Sequence, residues 1–334
     1  MTFSSHKLTL SVIIPVYNGG ENFRSCLSSL LDFPSPADEI VVVADGEGDG
    51  SWRIAEEFNV EVLRIAGPKG PAYARNRGAQ IARGEILFFV DADVTVSPDT
   101  TGKMMEIFKK QLDLAAVFGS YDDSPMATNF LSQYKNLLHH YIHQTSDEEA
   151  STFWAACGAI KRDIFFSMGG FNETYQQPSI EDIELGYRLK MAGCRIHLCK
   201  TLYCKHLKKW SLISLLKSDI FHRGLPWTDL ILKKGWWIND LNLRTSSRVS
   251  VLLTYGFLGS LIGGGWWAFS FALGGLWALL LLILNGSLYR FFYCKRGANF
   301  MLKAIPLHWL YFFYSGLAFA LGSIKYMHCK MKER

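Results

Sequence analysis

Residues 86–93 read Ile86-Leu87-Phe88-Phe89-Val90-Asp91-Ala92-Asp93. A short, unbroken apolar run predicts a strand buried on both faces. It stops at two aspartates, which the end of such a strand places where ligands of open α/β sheets sit. The same pattern recurs upstream. The run at 10–16 closes in Tyr17-Asn18-Gly19-Gly20, and Glu39-Ile40-Val41-Val42-Val43-Ala44 runs into Asp45 and a turn-rich loop at 46–51. Strands at 10–16, 39–44, 60–65 and 85–90 alternate with helices at 21–31, 52–58 and 72–82. That rhythm predicts an α/β fold built on a doubly wound parallel sheet. Further helices are expected at 98–111, 128–143 and 181–192, and strands at 153–161 and 195–207.

Composition separates the two ends of the chain. Of 334 residues 49% are hydrophobic and 19% charged, against about 25% charged in an ordinary globular protein. Disorder is excluded, because it needs low hydrophobicity and high charge. The 41 positions from 249 to 289 hold no acid, no base and no histidine. A spanning helix needs about 20 residues, so this block is expected to be a hairpin of two spans turning near Gly263, Gly264 and Gly265. Residues 304–324 form a third candidate span. Arg290, Lys295, Arg296 and Lys303 lie between as a basic loop, which places that side, and the N-terminal domain, in the cytoplasm. The expectation is a multi-pass membrane protein of the cell envelope. The stretch 208–248 mixes Trp210, Trp227, Trp236 and Trp237 with basic residues, as interfacial helices do. The expected domains are therefore 1–207, 208–248 and 249–334.

A net charge of +5 is too mild to argue for nucleic acid and suits anionic lipid head groups better. Seven cysteines form no Cys-x-x-Cys pair and read as reduced thiols. The apolar run at 8–17 contains Pro15 and has no small-residue cleavage pattern after it, so it reads as a strand rather than a signal peptide.

Asp91 and Asp93 can offer oxygens to one divalent cation, Mg²⁺ or Mn²⁺, which shares its other positions with phosphates. Glu181 and Asp182 open the 181–192 helix. Acids are common there because free N–H groups and the helix dipole stabilise them; the same position suits a general base. Gly67-Pro68-Lys69-Gly70-Pro71 leads into a helix carrying Arg75. A plain turn and a phosphate cradle, with Arg75 as a charge-assisted donor, both fit it. His206 with Trp210, and Arg223 with Trp227, fit interfacial anchoring as well as a site. His139 and His143 share a helix face without an evident third metal ligand.

Together these pieces resemble glycosyltransferase family 2. The matching segments are Ser11-Val12-Ile13-Ile14-Pro15-Val16-Tyr17-Asn18, Ala74-Arg75-Asn76-Arg77-Gly78, Phe89-Val90-Asp91-Ala92-Asp93 and Glu181-Asp182-Ile183-Glu184-Leu185, spread over about residues 8–230. The resemblance implies a GT-A fold, a nucleotide-diphosphate sugar donor and a divalent metal. By that likeness Pro15, Tyr17 and Asp45 line the nucleotide pocket, and Asp91 faces the sugar and ribose. Asp93 meets the metal, whose shell His206 completes. Asp182 becomes the base, Gly158 lies in the acceptor-side loop, and Arg223 with Trp227 looks like a widened Gln-x-x-Arg-Trp motif. The Glu181-Asp182 pair favours inverting transfer to a membrane lipid or lipid-linked hydroxyl, and three hydrophobic blocks favour transfer of a single sugar; a polyprenyl-phosphate glycosyltransferase and a non-catalytic membrane scaffold with a nucleotide-binding domain are the alternative readings.

Overall fold

The strand that ends at Asp91 lies inside a nine-stranded sheet. The computed structural model describes residues 7–31, 37–46, 48–238 and 243–332, and the chain divides into two compact units, 1–209 and 210–334. In chain order the first unit runs β1 (Leu10–Val16), α1 (Gly20–Leu31), β2 (Glu39–Asp45), α2 (Ser51–Glu57), β3 (Glu61–Ile65), α3 (Pro71–Ile81) and β4 (Ile86–Val90). It continues with β5 (Val94–Val96), α4 (Thr100–Lys110), β6 (Leu114–Tyr121), α5 (Phe130–Thr145) and β7 (Glu149–Ala150). It closes with β8 (Cys157–Lys161), α6 (Arg162–Ser167), α7 (Glu181–Met191) and β9 (Arg195–His206).

The strand order is β3-β2-β1-β4-β8-β6-β9-β5, with β7 against β9. Strands β3, β2, β1 and β4 are parallel, as expected, but the second half is mixed. β8 runs antiparallel to both β4 and β6, and β5 antiparallel to β9. The reason is the route of the chain. The segment before β8 already lies at the carboxyl edge, where the Asp91 amide donates to the Ala156 carbonyl at 3.3 Å. β8 therefore enters the sheet where β4 leaves it.

Continuous apolarity in β4 follows from two covered faces. Phe88 packs into a core with Phe23, Leu27 and Phe108, whereas Phe89 meets Phe153, Phe165 and Phe171 at ring separations of 6.5, 5.4 and 5.0 Å. Each fully buried phenylalanine contributes about 2–3 kcal/mol. Pro15 sits in β1 opposite Val43, beyond Ile13, the last residue aligned with β4, so its missing N–H costs β1 no bond to β4.

Gly158 is inside β8, between Phe89 and Phe118, as the strand expected at 153–161 requires, and not in the acceptor-side loop that the family likeness implied. A Cβ there would stand 2.3 Å from the Trp154 carbonyl oxygen and 2.8 Å from the Phe153 ring. Only glycine lets the Phe153-Trp154 turn close onto the strand.

The second unit is helical: α8 (Leu212–Lys217), a π-helical turn (Ser218–Gly224), α9 (Leu225–Lys234), α10 (Thr245–Gly263), α11 (Phe269–Leu284) and α12 (Gly286–Lys332). The buried Tyr314 hydroxyl donates to Asp219 at 2.8 Å and ties the π-helical turn to α12. The turn between α10 and α11 holds Gly264 and Gly265. Among the described residues, one helix, α12, is long and apolar enough to cross a membrane; α11 is apolar but has only 16 residues. The three expected spans are thus not supported. The basic loop is also revised. Arg290, Lys295, Arg296 and Lys303 fall inside α12, which is broken only at Gly297 (φ 81°, ψ 178°).

Candidate active site

Six chain segments reach the carboxyl edge of the sheet. They are the ends of β1, β2, β4, β6 and β9 and the segment that starts β8. Of the polar residues singled out from the sequence, Asp45, Arg75, Asp91, Asp93, Glu181, Asp182 and His206 collect there, in three groups.

The first group centres on Arg75. Its guanidinium donates to Asp91 Oδ1 at 2.6 Å and to Glu181 Oε1 at 2.8 Å. The side chain is only 6% exposed and lies 5.4 Å from the Phe171 ring centroid. Burial alone would lower the guanidinium pKa, but the charges of Asp91, Glu181 and Asp182 outweigh it and raise it. α3 turns this residue inward, so Arg75 is committed to two carboxylates rather than offered to a phosphate. Glu181 is buried too, and its second oxygen accepts from the Ser179 amide at 2.9 Å. Asp182 is half-buried and held more lightly. Its Oδ2 accepts from the Ala155 amide at 3.2 Å and its Oδ1 from the Ile183 amide at 2.8 Å. Asp91 and Asp182 are thereby fastened to consecutive residues, Ala156 and Ala155.

The second group is Asp93 with His206. Register places Val94 opposite His206, the Leu207 amide donates to the Asp93 carbonyl at 2.9 Å, and Asp93 Oδ2 stands 3.5 Å from His206 Nε2. Burial pushes the Asp93 carboxyl up, but His206 and then Lys208 outweigh it and hold it below its usual range. An oxygen and an imidazole nitrogen this close suit a borderline divalent cation such as Mn²⁺. Asp91 was expected in this set but faces Arg75, and among the described residues no three or more His, Cys, Asp or Glu side chains converge on a metal position. The protein supplies a pair, which fits an ion that takes its other ligands from phosphates and water.

The third group is the loop after β2. Asp45 is buried, and its two oxygens accept from the Lys69 and Gly70 amides at 2.7 Å each. The amides expected to cradle a phosphate are used to hold Asp45. Tyr17 is 56% exposed beside this loop's strand ends. Arg223 belongs to the second unit, in the π-helical turn.

Sequence reasoning passed over β6, although Leu114-Ala115-Ala116-Val117-Phe118 is an apolar run of the right length and every residue of the strand is buried. With β6 comes Tyr121, whose ring stacks on His206 at 4.7 Å and 16°. Behind it, α5 places His139 and His143 in an aromatic cluster with Trp154, at ring separations of 5.0 and 5.2 Å.

Burial holds the His143 pKa down to about 3, against a raising bond to the Gly119 carbonyl and with the His140 charge adding to the depression. Folded His143 is therefore neutral, and the unfolded chain takes up a proton below about 6.5. Its contribution is complete above pH 6.5 and is lost as pH falls toward 3. Between pH 7 and pH 5, wild-type protein is expected to lose about 2 kcal/mol more stability than His143→Asn, read from denaturation midpoints. Equal losses would show that His143 does not titrate this way.

Glycosyl transferase family 2, as a sequence-family model, matches residues 11–167. This chain carries a family 2 glycosyltransferase domain. The uncharacterized glycosyltransferase YibD of Escherichia coli strain K12 is 40% identical over 112 residues, covering 32% of this chain and 32% of YibD. The putative glycosyltransferase EpsH of Bacillus subtilis strain 168 is 29% identical over 235 residues, covering 65% and 66%. The chain thus spans about a third of the length of one of these relatives and just under two thirds of the other. The mannosyltransferase PcManGT of Pyrobaculum calidifontis, solved with GDP-Man and Mn²⁺, superposes with a TM-score of 0.60 over 95% of this chain and 88% of its own, at 16% identity. The family 2 domain has the GT-A fold.

Proposed function

We propose that this glycosyltransferase moves one sugar, with inversion, from a nucleotide-diphosphate donor to a hydroxyl of a membrane lipid or lipid-linked glycan. One observation carries the reading: at one sheet edge, the Asp93–His206 pair and half-buried Asp182 flank the Arg75–Asp91–Glu181 knot. The donor class is supported by PcManGT, which was solved with GDP-Man and Mn²⁺.

In this reading Asp93 and His206 hold the divalent ion. Bound there, the ion would neutralise charge on the donor's diphosphate. Asp182 is the general base. Backbone amides orient both its oxygens, whereas Glu181 is buried and bonded to Arg75. A base on the face of the sugar opposite the leaving diphosphate gives inversion. Arg75 and Glu181 position: they fix the end of β4 against the start of α7. Pro15, Tyr17 and Asp45 are assigned to the nucleotide side, Asp45 acting through the 67–71 loop it anchors. Arg223 is assigned to the acceptor side. In the same reading α12 is the spanning helix, and Arg290, Lys295, Arg296 and Lys303 of α12 mark the cytoplasmic side, where the catalytic unit is assigned.

The test is a hydrolysis screen of purified protein against nucleotide sugars with Mn²⁺ and with Mg²⁺. One donor should be consumed and should be spared in Asp93→Ala. No turnover of any donor, or unchanged turnover in Asp93→Ala, would overturn the reading.

A further inference from the structure

We propose that Tyr121 is the positioning residue for the metal-binding imidazole, the plate that sets the plane in which His206 points its Nε2. This rests on the reading of Asp93 and His206 as metal ligands. An imidazole ligates along the in-plane lone pair of one nitrogen, so a ring free to turn about its Cβ–Cγ bond aims poorly. With Asp93 and His206 the two donors assigned among the described residues, the aim of each matters more.

The backbone beneath His206 is already locked. The Leu207 amide is bonded to the Asp93 carbonyl at 2.9 Å, and Lys205 pairs with Asp122 at 2.7 Å. Ring rotation remains, and Tyr121 limits it. Register places Tyr121 of β6 opposite Cys204 of β9, so His206, two residues on, shares its face at the diagonal distance that aromatic side chains reach. The two rings lie 4.7 Å apart and 16° from parallel.

The plate is itself wedged. Trp154 meets Tyr121 edge-on at 4.7 Å and 88°, and His139 packs on it at 4.8 Å. The His140 Nδ1–H donates to the Tyr121 carbonyl at 2.6 Å. Trp154 also precedes Ala155, whose amide holds Asp182. One aromatic wall therefore backs the imidazole and adjoins the anchor of the candidate base. Outer contacts that orient a metal ligand typically weigh about 10–100-fold in metal affinity.

The test uses the full chain in detergent with ¹³C-labelled histidine, the His206 ring signal being assigned by its loss in His206→Ala. In wild type, a proton over the tyrosine face should be shifted upfield, and added Mn²⁺ should broaden it. Tyr121→Phe, which keeps the plate, should preserve both effects. Tyr121→Met, of similar length but without a ring, should abolish the upfield shift and need about 10–100-fold more Mn²⁺ for the same broadening. If Mn²⁺ leaves the wild-type His206 signal unchanged, the metal reading fails and this proposal with it. If wild type and Tyr121→Met bind Mn²⁺ equally, only the proposal falls. Should Tyr121→Met not fold, the wild-type shift decides: its absence overturns the stacking.

Discussion

Asp182→Asn is expected to lower transfer to a hydroxyl acceptor by about 10²–10⁴-fold, the usual weight of a general base, while the protein stays folded and still binds donor. Asparagine has the shape of aspartate, and its amide oxygen can still accept from the Ala155 amide that now meets Oδ2 at 3.2 Å. What it lacks is a basic lone pair for the acceptor proton and the second acceptor that now meets the Ile183 amide at 2.8 Å, a local loss at a half-buried helix start. Glu181→Gln is the instructive neighbour. Glu181 is 5% exposed and bound to Arg75 at 2.8 Å, so its loss should appear first as lowered stability. The pair of variants separates a residue that performs chemistry from one that positions it. A phosphate acceptor gives a sharper comparison, because it is already ionised and needs no base. Initial rates of Asp182→Asn on a lipid alcohol and on a polyprenyl phosphate should fall steeply only on the alcohol. An equal fall on both would remove the argument for a hydroxyl acceptor.

The parts of this fold that were legible in the sequence are those whose burial is two-sided and local. β4 is apolar at every position because Phe88 and Phe89 face different cores, and its acids had to emerge at the edge. The parallel half of the sheet followed from alternation alone. The antiparallel half did not, since the direction of β8 depends on where the chain stands when it returns from α5. Gly158 was read correctly as a strand residue, but the reason it is glycine was not legible: the Trp154 carbonyl that would stand 2.3 Å from a Cβ there belongs to the turn before the strand. The acids were found, and the family likeness already set His206 with Asp93, but the pairing of Asp91 with Arg75 was not foreseen. Asp91 and Asp93 looked like one metal pair by spacing, yet one turns to Arg75 and the other to His206. Those partners come from α3, 16 residues before Asp91, and from β9 near the end of the first unit, both outside the local pattern. Likewise, nothing local in Asp45 announces that both of its oxygens close on the loop at 67–71.

Arg75→Met should be the most damaging single change in the first unit, costing about 3–5 kcal/mol of stability. The volume is roughly kept, so the loss is electrostatic. It strands Glu181, 5% exposed, and frees Asp91, 32% exposed, at the site's edge. A buried charge without its partner loses the interaction that offset its desolvation, and that asymmetry makes breaking a pair worse than never having one. Activity should fall further than the folded fraction does, because Arg75 spans α3, β4 and α7 and without it the spacing between Asp91 and Asp182 rests on their weaker ties to Ala156 and Ala155. Arg75→Lys should not rescue. One ammonium cannot reproduce the planar fork that serves two carboxylates at 2.6 and 2.8 Å. Glu181→Gln added to Arg75→Met should recover part of the stability by removing the stranded charge, so that the two changes together cost less than their sum. Denaturation midpoints for the wild type, both single variants and the double variant close that cycle. Strict additivity would mean that Arg75 and Glu181 do not stabilise one another and that the knot at the centre of the site is a contact without energetic weight.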